Sequence, residues 1–369
     1  MIQAQQVCSN LIEEAAPESV LQAFRGKAGG REHGHETPCR AIPFNVDPLP
    51  VALSYYERAQ ALDRRGDFAQ AFEWASRGSE LLLTHPRMDH RTGELILRKL
   101  ASCPPARATN PPGKASQSSF SDNRTSPVFL IGFPCSGEDL LQRLLGGYPG
   151  IHVCHNDSAL AQVQQALEEW TPEENGRTTD RIAQLTSDQI QHLRDIYWQQ
   201  LSQSWQGADN PDWVVDCNQL NLLYLPLINA LFPQARLIML QRDPRDICLN
   251  VFLRPLPPDQ TTALPVQWES IAVFYRAAHQ YQCRIQAVLD CRWMEVKYES
   301  LLATPLETMA AILRFMGISW ITAYRIYPDF TGTVKEYCRN QISTWNNYHR
   351  FFDPVQTLLS AAIQTMGYA

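Results

Sequence analysis

Two short segments hold residues whose types and spacing could do chemistry. The first is GFPCSGED, Gly132 to Asp139, which follows the apolar run PVFLIGF and opens a helical pattern. Gly132 and Gly137 give the spacing G-x-x-x-x-G between a strand and a helix, a turn that aims backbone N–H groups at an anion. No lysine and no hydroxyl residue follows; Glu138 and Asp139 stand there instead. Two acids in a first helical turn complement the helix dipole themselves. They also repel a phosphate, at about 4 kcal/mol for one unit-charge pair ~4 Å apart at an effective dielectric of 20. The plainer alternative is a strand-to-helix turn with an acidic start.

The second segment is QRDPRDICLN, Gln241 to Asn250, after the apolar run RLIMLQ. Asp243 suits a helix N-cap and Pro244 the first helical position. Arg242 and Arg245, at the end of a strand and the start of a helix, suit bidentate phosphate binding. Surface ion pairs with Asp243 and Asp246 are the structural alternative.

Composition narrows the classes. The chain has 369 residues, 44% of them apolar and 19% charged, with a formal net charge of −6. That is the range of folded globular proteins, with room for one large domain or two modest ones. The acidic balance argues against a non-specific nucleic-acid binder while leaving room for a local phosphate site. The longest apolar stretch, Leu222 to Phe232, is broken by Pro226 and Asn229 and is too short for a membrane span. The first residues lack a secretory pattern, so a cytoplasmic location is expected. Ten cysteines without a C-x-x-C pair then read as reduced thiols that fill apolar space. His33, His35 and Cys39 lack a fourth ligand and lie in a Gly- and charge-rich run, so no metal site is expected.

Around these segments the elements fall into four regions. Residues 1–48 are irregular. Residues 49–101 carry helical periodicity, with Ala59 and Leu62 on one face and Ala71, Ala75 and Leu82 on another, which predicts an antiparallel helix pair. Residues 102–126 are Pro- and Ser-rich and read as a linker. From 127 to 369, strands alternate with helices. Strands are expected at 127–133, 213–215, 236–241 and 293–298. Helices are expected at 139–145, 220–232, from 244, over 266–289 and over 306–316. That alternation predicts an α/β domain whose parallel sheet is covered on both faces, with ligands beyond the carboxyl ends of its strands.

Taken together the segments carry a family resemblance. A strand followed by GFPxSG-x-x-LLQRLL, then YPG, VVD-x-x-x-LN, LFPQARLIMLQRDPRDICL, VKYESLLATPLETMAAILRFMGI and a final W-x-x-Y (Trp345, Tyr348) run in order. The chain resembles the sulfotransferase superfamily, in the branch with an N-terminal tetratricopeptide region, since GDF-x-x-A (Gly66 to Ala71) fills a slot of that repeat. The resemblance covers Leu53 to the C-terminus. It implies a P-loop-like three-layer domain with a small N-terminal helical hairpin, and sulfuryl transfer from 3′-phosphoadenosine 5′-phosphosulfate (PAPS) to a hydroxyl or amine.

Carried over position by position, the resemblance divides the site in two. Arg242 matches the arginine that binds the 3′-phosphate, Asn250 stands in place of a serine, and Tyr298 matches a tyrosine against the adenosine. Lys335 or Arg339 supplies a late basic residue. At the phosphosulfate end the pattern has changed. A motif resembling Pro-Arg-Ser-Gly-Thr-Thr is here Pro134-Cys135-Ser136-Gly137-Glu138-Asp139, and Asp-Lys-x-Pro is here Asp216-Cys217-Asn218-Gln219. Two cations are lost and two carboxylates gained where charge builds in the transition state. One missing charged donor commonly costs ~10²- to 10³-fold in rate. Backbone amides of Ser136, Gly137, Glu138, Asp139 and Leu140 remain to hold a 5′-phosphate, with His155 or Asp157 as base. The resemblance also brings Cys135, Cys217 and His155 or Cys154 to one cleft with Glu138 and Asp139, the raw material of a thiolate nucleophile or a soft-metal site. Alternatively, the cysteines fill the space of the lost Arg and Lys.

Three functional classes follow: an atypical PAPS-dependent sulfotransferase acting on a small molecule, a repurposed enzyme using Cys135 or Cys217 with His155, and a non-catalytic scaffold. The helical hairpin would be a contact surface for a protein partner. Acceptor-pocket segments are expected at 152–205, with Trp170, Tyr197, Trp198 and Trp205, and at 254–267, although core packing accounts for such aromatics equally well.

Overall fold

The computed structural model describes residues 47–85, 96–97, 100, 125–154, 159–170, 181–203, 211–254, 265–289, 291–319, 334 and 342–368. The expectations for residues 1–46, for most of the linker, for most of the segment 254–267, and for His155, Asp157, Trp205, Lys335 and Arg339 lie outside these. The chain divides into two compact units, one of Met1–Ser102, Asp243–Tyr281 and Ser343–Ala369, the other of Cys103–Arg242 and Gln282–Ile342. The stretch 127–369 therefore contributes to both.

In the first unit, helix caps are written into the sequence. The Asp47 side chain accepts from Leu49 N at 3.0 Å and Pro48 opens helix α1 (Pro48–Arg64). Asp67 accepts from Gln70 N at 3.2 Å and opens α2 (Phe68–Leu83). Ala59 of α1 and Ala71, Ala75 and Leu82 of α2 are buried, as the periodicity predicts, while Leu62 is half-buried and Ala52 and Tyr56 complete the buried face of α1. The hairpin packs on α7 (Pro244–Leu253), on the start of α8 (Trp268–Gln286) and on a 3-10 helix (Thr344–Phe351), and α11 (Gln356–Thr365) packs on α7. Phe72 stacks on Phe351 at 4.0 Å and meets Phe252 at 4.7 Å, and Trp268 meets it edge-on. Ser79 Oγ donates to Val266 O at 2.9 Å, and Tyr348 Oη donates to Asp63 at 2.7 Å.

The second unit is built on a five-stranded, all-parallel sheet in the order β2-β3-β1-β4-β5. The strands are β1 (Val128–Gly132), β2 (Ile151–Cys154), β3 (Trp213–Asp216), β4 (Arg236–Gln241) and β5 (Arg292–Lys297). Helices α3 (Glu138–Gly146), α4 (Ala159–Trp170), α5 (Ser187–Ser202) and α6 (Leu225–Leu231) lie between strands, and α9 (Tyr298–Ala303) and α10 (Pro305–Met316) follow β5. Alternation along each strand sends side chains to opposite faces. Val128 and Leu130 join Leu141 and Leu144 of α3 and Ile312 and Leu313 of α10 in one core. Phe129 points the other way, towards Tyr197 of α5 and Phe232, with ring centroids 6.0 and 6.1 Å away. A sheet covered on both faces explains why these strands read as unbroken apolar runs.

Two features depart from the sequence expectation. The helix expected over 220–232 is a 3-10 helix (Gln219–Tyr224) followed by α6, in whose first turn Pro226 sits, where a missing N–H costs nothing. Strand β2 and helices α4 and α5 occupy the segment expected to shape a pocket, and Tyr197 and Trp198 there are core residues. Among the described residues, no helix is long and apolar enough to cross a membrane.

Candidate functional site

The strand order places a topological switch at β1. The chain leaves β1 for β2 and β3 on one side, then returns to β4 and β5 on the other. Such points open a crevice beyond the carboxyl ends of the strands. Within the sheet unit, the β1–α3 turn, the segment after β3 and Arg242 after β4 all leave their strands at that edge.

The β1–α3 turn is tight for identifiable reasons. Ser136 N donates to Phe133 O at 3.0 Å. A β-carbon at Gly132 would run into Ser136 Oγ. Gly137, the N-cap of α3, has φ +102°, and a β-carbon there would overlap the Tyr298 ring. Cys135 also takes a left-handed conformation, with φ +69°.

The turn does aim its N–H groups at an anion, and the anion is its own. The Glu138 carboxylate folds back so that Oε1 accepts from Cys135 N at 3.2 Å. Its Oε2 accepts from Gly137 N at 2.9 Å and from Ser136 Oγ at 3.3 Å. Burial pushes the Glu138 carboxyl above the ordinary carboxylate range, and nearby Asp139 adds to the shift; the turn's N–H donors and Ser136 Oγ pull the other way. Sequence reasoning treated Glu138 as a charge repelling a phosphate from outside the turn. Only the fold shows its side chain reaching back over its own N-terminus. Asp139 is exposed and Leu140 is buried in the core.

Arg242 is buried, donates from Nη1 to Cys135 O at 3.2 Å, and lies with its guanidinium carbon 4.7 Å from the Tyr298 ring centroid. Tyr298 is itself buried and packs against Gly137. Three of the expected site residues thus converge: the Cys135 carbonyl, Arg242 and Tyr298.

After β3, Asp216 gathers a network that sequence reasoning missed. Its Oδ2 accepts from Tyr197 Oη at 2.9 Å, and its Oδ1 accepts from Asn218 N at 3.1 Å and Asn221 Nδ2 at 3.0 Å. The signal was an aspartate at a strand end followed by two asparagines. Cys217 is buried, and its Sγ donates to Val215 O at 3.8 Å. Burial, then Asp216, Cys154 and Glu138, push its thiol well above the ordinary range, which keeps it protonated. Cys135 is half-buried. Among the described residues no cluster of His, Cys, Asp and Glu could hold a metal ion.

In the first unit, Arg245 does not offer a free fork. It is buried in a bidentate pair with Asp243 at 2.8 and 2.9 Å, and it stacks on Trp345 at 3.8 Å. Asp246 turns to a different part of its unit. It accepts from Ser343 N, Thr344 Oγ1 and Trp345 N at 2.8–2.9 Å and so caps the 3-10 helix. Asn250 Nδ2 donates to Asp246 O at 2.7 Å, one turn back on α7.

The chain is 22% identical over 255 residues to protein-tyrosine sulfotransferase 1 of Danio rerio, covering 67% of each protein. It is 21% identical over 325 residues to an uncharacterised protein of Aquifex aeolicus, covering 83% of this chain and 41% of that relative. It therefore spans well under half the length of the latter. Among solved structures it is similar to a sulfotransferase from Alicyclobacillus acidocaldarius (18% identity, TM-score 0.38, 65% of this chain and 96% of that one). A sulfotransferase from Mycobacterium avium gives 12% identity and a TM-score of 0.41, over 89% and 98%. The model of the Sulfotransferase family matches residues 127–322, more than half of the chain, and the chain belongs to that family.

Proposed function

We propose that the chain is an atypical sulfotransferase that takes PAPS as donor and transfers its sulfuryl group to a hydroxyl or amine of a small molecule. The observation that carries this reading is the β1–α3 turn, whose donor set fits an anion because it already holds a carboxylate. Arg242 and Tyr298, buried side by side next to that turn, supply a cation and a flat ring for the 3′-phosphate and the adenine. In the reaction the donor's S–O bond to phosphate breaks with its electron pair going to the phosphate oxygen. The acceptor oxygen or nitrogen bonds to sulfur and gives its proton to a base, the role we assign to His155 or Asp157. The N–H groups of residues 137–140 stabilise the charge left on the phosphate, while that of Ser136 is given to Phe133 O. Lys335 or Arg339 completes the proposed donor contacts, and Asn250, a residue of the other unit whose amide donates to Asp246 O, is left out of them.

A second acceptor class is a tyrosine hydroxyl of a protein. It is favoured by the names of relatives from Danio rerio, Gallus gallus and Drosophila melanogaster, all protein-tyrosine sulfotransferases, at 20–22% identity. The hairpin of α1 and α2, which we read as tetratricopeptide-like, would offer a protein partner its surface. The thiolate alternative has less support, because burial and anionic neighbours hold Cys217 as a thiol. The test is transfer of label from ³⁵S-PAPS to a panel of phenols, alcohols and amines and to a tyrosine-containing peptide. Labelling of the small molecules supports the proposal and labelling of the peptide alone the second class. No transfer, together with no binding of adenosine 3′,5′-bisphosphate at millimolar concentration, overturns both.

A further inference from the structure

The three donors of the β1–α3 turn already have a partner, and that partner carries a negative charge. Cys135 N, Gly137 N and Ser136 Oγ all point to the Glu138 carboxylate at 2.9–3.3 Å. Ser136 is fully buried, so its hydroxyl is not shared with bulk water. An incoming phosphate and this carboxylate would need the same N–H groups, and two anions cannot occupy one set of donors.

We propose that Glu138 is a built-in competitor for the anion site: its carboxylate must swing out of the turn before a phosphate-bearing ligand can bind there. The inference rests on the nucleotide reading above and adds a control to it. The geometry permits the motion, because the hydrogen bonds come from the flexible end of a glutamate on the first residue of α3, whose backbone need not move. Groups around the carboxylate bias it both ways. Asp139 on the same helix repels it, while Cys217, held as a thiol by burial and by Asp216, adds no charge. Arg242 approaches the other side of the turn through the Cys135 carbonyl, and Tyr298 covers Gly137. Protonation weakens the hold, since a neutral acid competes poorly for N–H donors. Anion affinity is therefore expected to rise as pH falls through the raised Glu138 titration, and to be lost as pH rises through it.

The experiment compares the full chain with its Glu138→Ala and Glu138→Gln variants by calorimetry, using adenosine 3′,5′-bisphosphate and, separately, inorganic pyrophosphate. Circular dichroism checks folding, and Glu138→Gln, close to isosteric, stands in should the alanine variant not fold. At pH 7.5 the variants are expected to bind pyrophosphate and the nucleotide at least 10-fold more tightly than the parent. The gap is expected to narrow at pH 5.5; the ligand's own ionisation cancels in the comparison. A gain for pyrophosphate with no nucleotide binding by any protein supports the competitor and overturns the nucleotide reading. Nucleotide binding that is equal in all three proteins overturns the competitor and leaves the nucleotide reading standing. No gain for either ligand in a folded variant overturns the competitor.

Discussion

Glu138 and Gly137 are neighbours in the chain, yet the carboxylate of the first folds back to accept the backbone N–H of the second at 2.9 Å. Helix α3 has no side-chain cap from Gly137, which has no side chain, and its own first residue supplies the acceptor instead. A turn built to present unsatisfied N–H groups therefore satisfies them internally, at the site where the family relationship leads one to expect a ligand phosphate.

Arg242 joins this turn to Tyr298, so its removal has a readout in binding. Arg242→Ala is expected to weaken adenosine 3′,5′-bisphosphate by ~1.5 to 3 kcal/mol, the scale of a hydrogen bond to a charged group. Arg242→Lys keeps the charge but loses the planar fork that both stacks on the ring and reaches the Cys135 carbonyl, and recovers only part of the loss. Calorimetry checks both variants; an unchanged affinity would move the 3′-phosphate away from this residue.

Gly137 is required by its backbone and by its neighbour. Gly137→Ala forces a β-carbon into the Tyr298 ring at a φ of +102°. A loss of ~1 to 3 kcal/mol is expected from strain and overpacking, read from the urea midpoint. An unaltered midpoint would contradict the tight packing of this turn.

Cys217 is expected to be inert. Burial and the carboxylates near it favour the thiol, so iodoacetamide at pH 8 should leave it unmodified in the native protein and label it in urea, as followed by peptide mass spectrometry. Half-buried Cys135 is expected to react first of the two. Rapid native labelling of Cys217 would revive the thiolate reading.

His279 on α8 sets a pH dependence for stability. Its side chain is buried, and burial lowers its pKa to about 4. The unfolded chain, near 6.5, binds the proton first, so stability is complete above that value and is lost as pH falls from 6.5 towards 4. The loss at pH 5 is about 2 kcal/mol. Thermal melts at pH 7 and pH 5 should show it, and His279→Phe should flatten the difference. A melt independent of pH in the parent would place this histidine in water.

Local order was legible wherever one residue type has one dominant physical role. Asp243 caps the helix it precedes, as its place before Pro244 announces, and Val128 to Ile131 form the buried strand of their apolar run. The order of motifs was equally legible, because alternating strands and helices with short connections leave few topologies open to a parallel sheet. Strand β2 escaped notice because four residues, His152 among them, carry too short an alternation to stand out.

By itself the sequence determined most of the elements, the parallel sheet and the family, because each rests on periodicity, on intrinsic preferences and on motif order along the chain. Only the tertiary structure decided how the charges pair. Arg245 turned to Asp243 and Trp345, Asp246 capped a helix almost a hundred residues away, and Glu138 turned inward on the turn that precedes it. A charged side chain takes whichever partner the fold brings within about 3 Å, and spacing in sequence does not encode that distance.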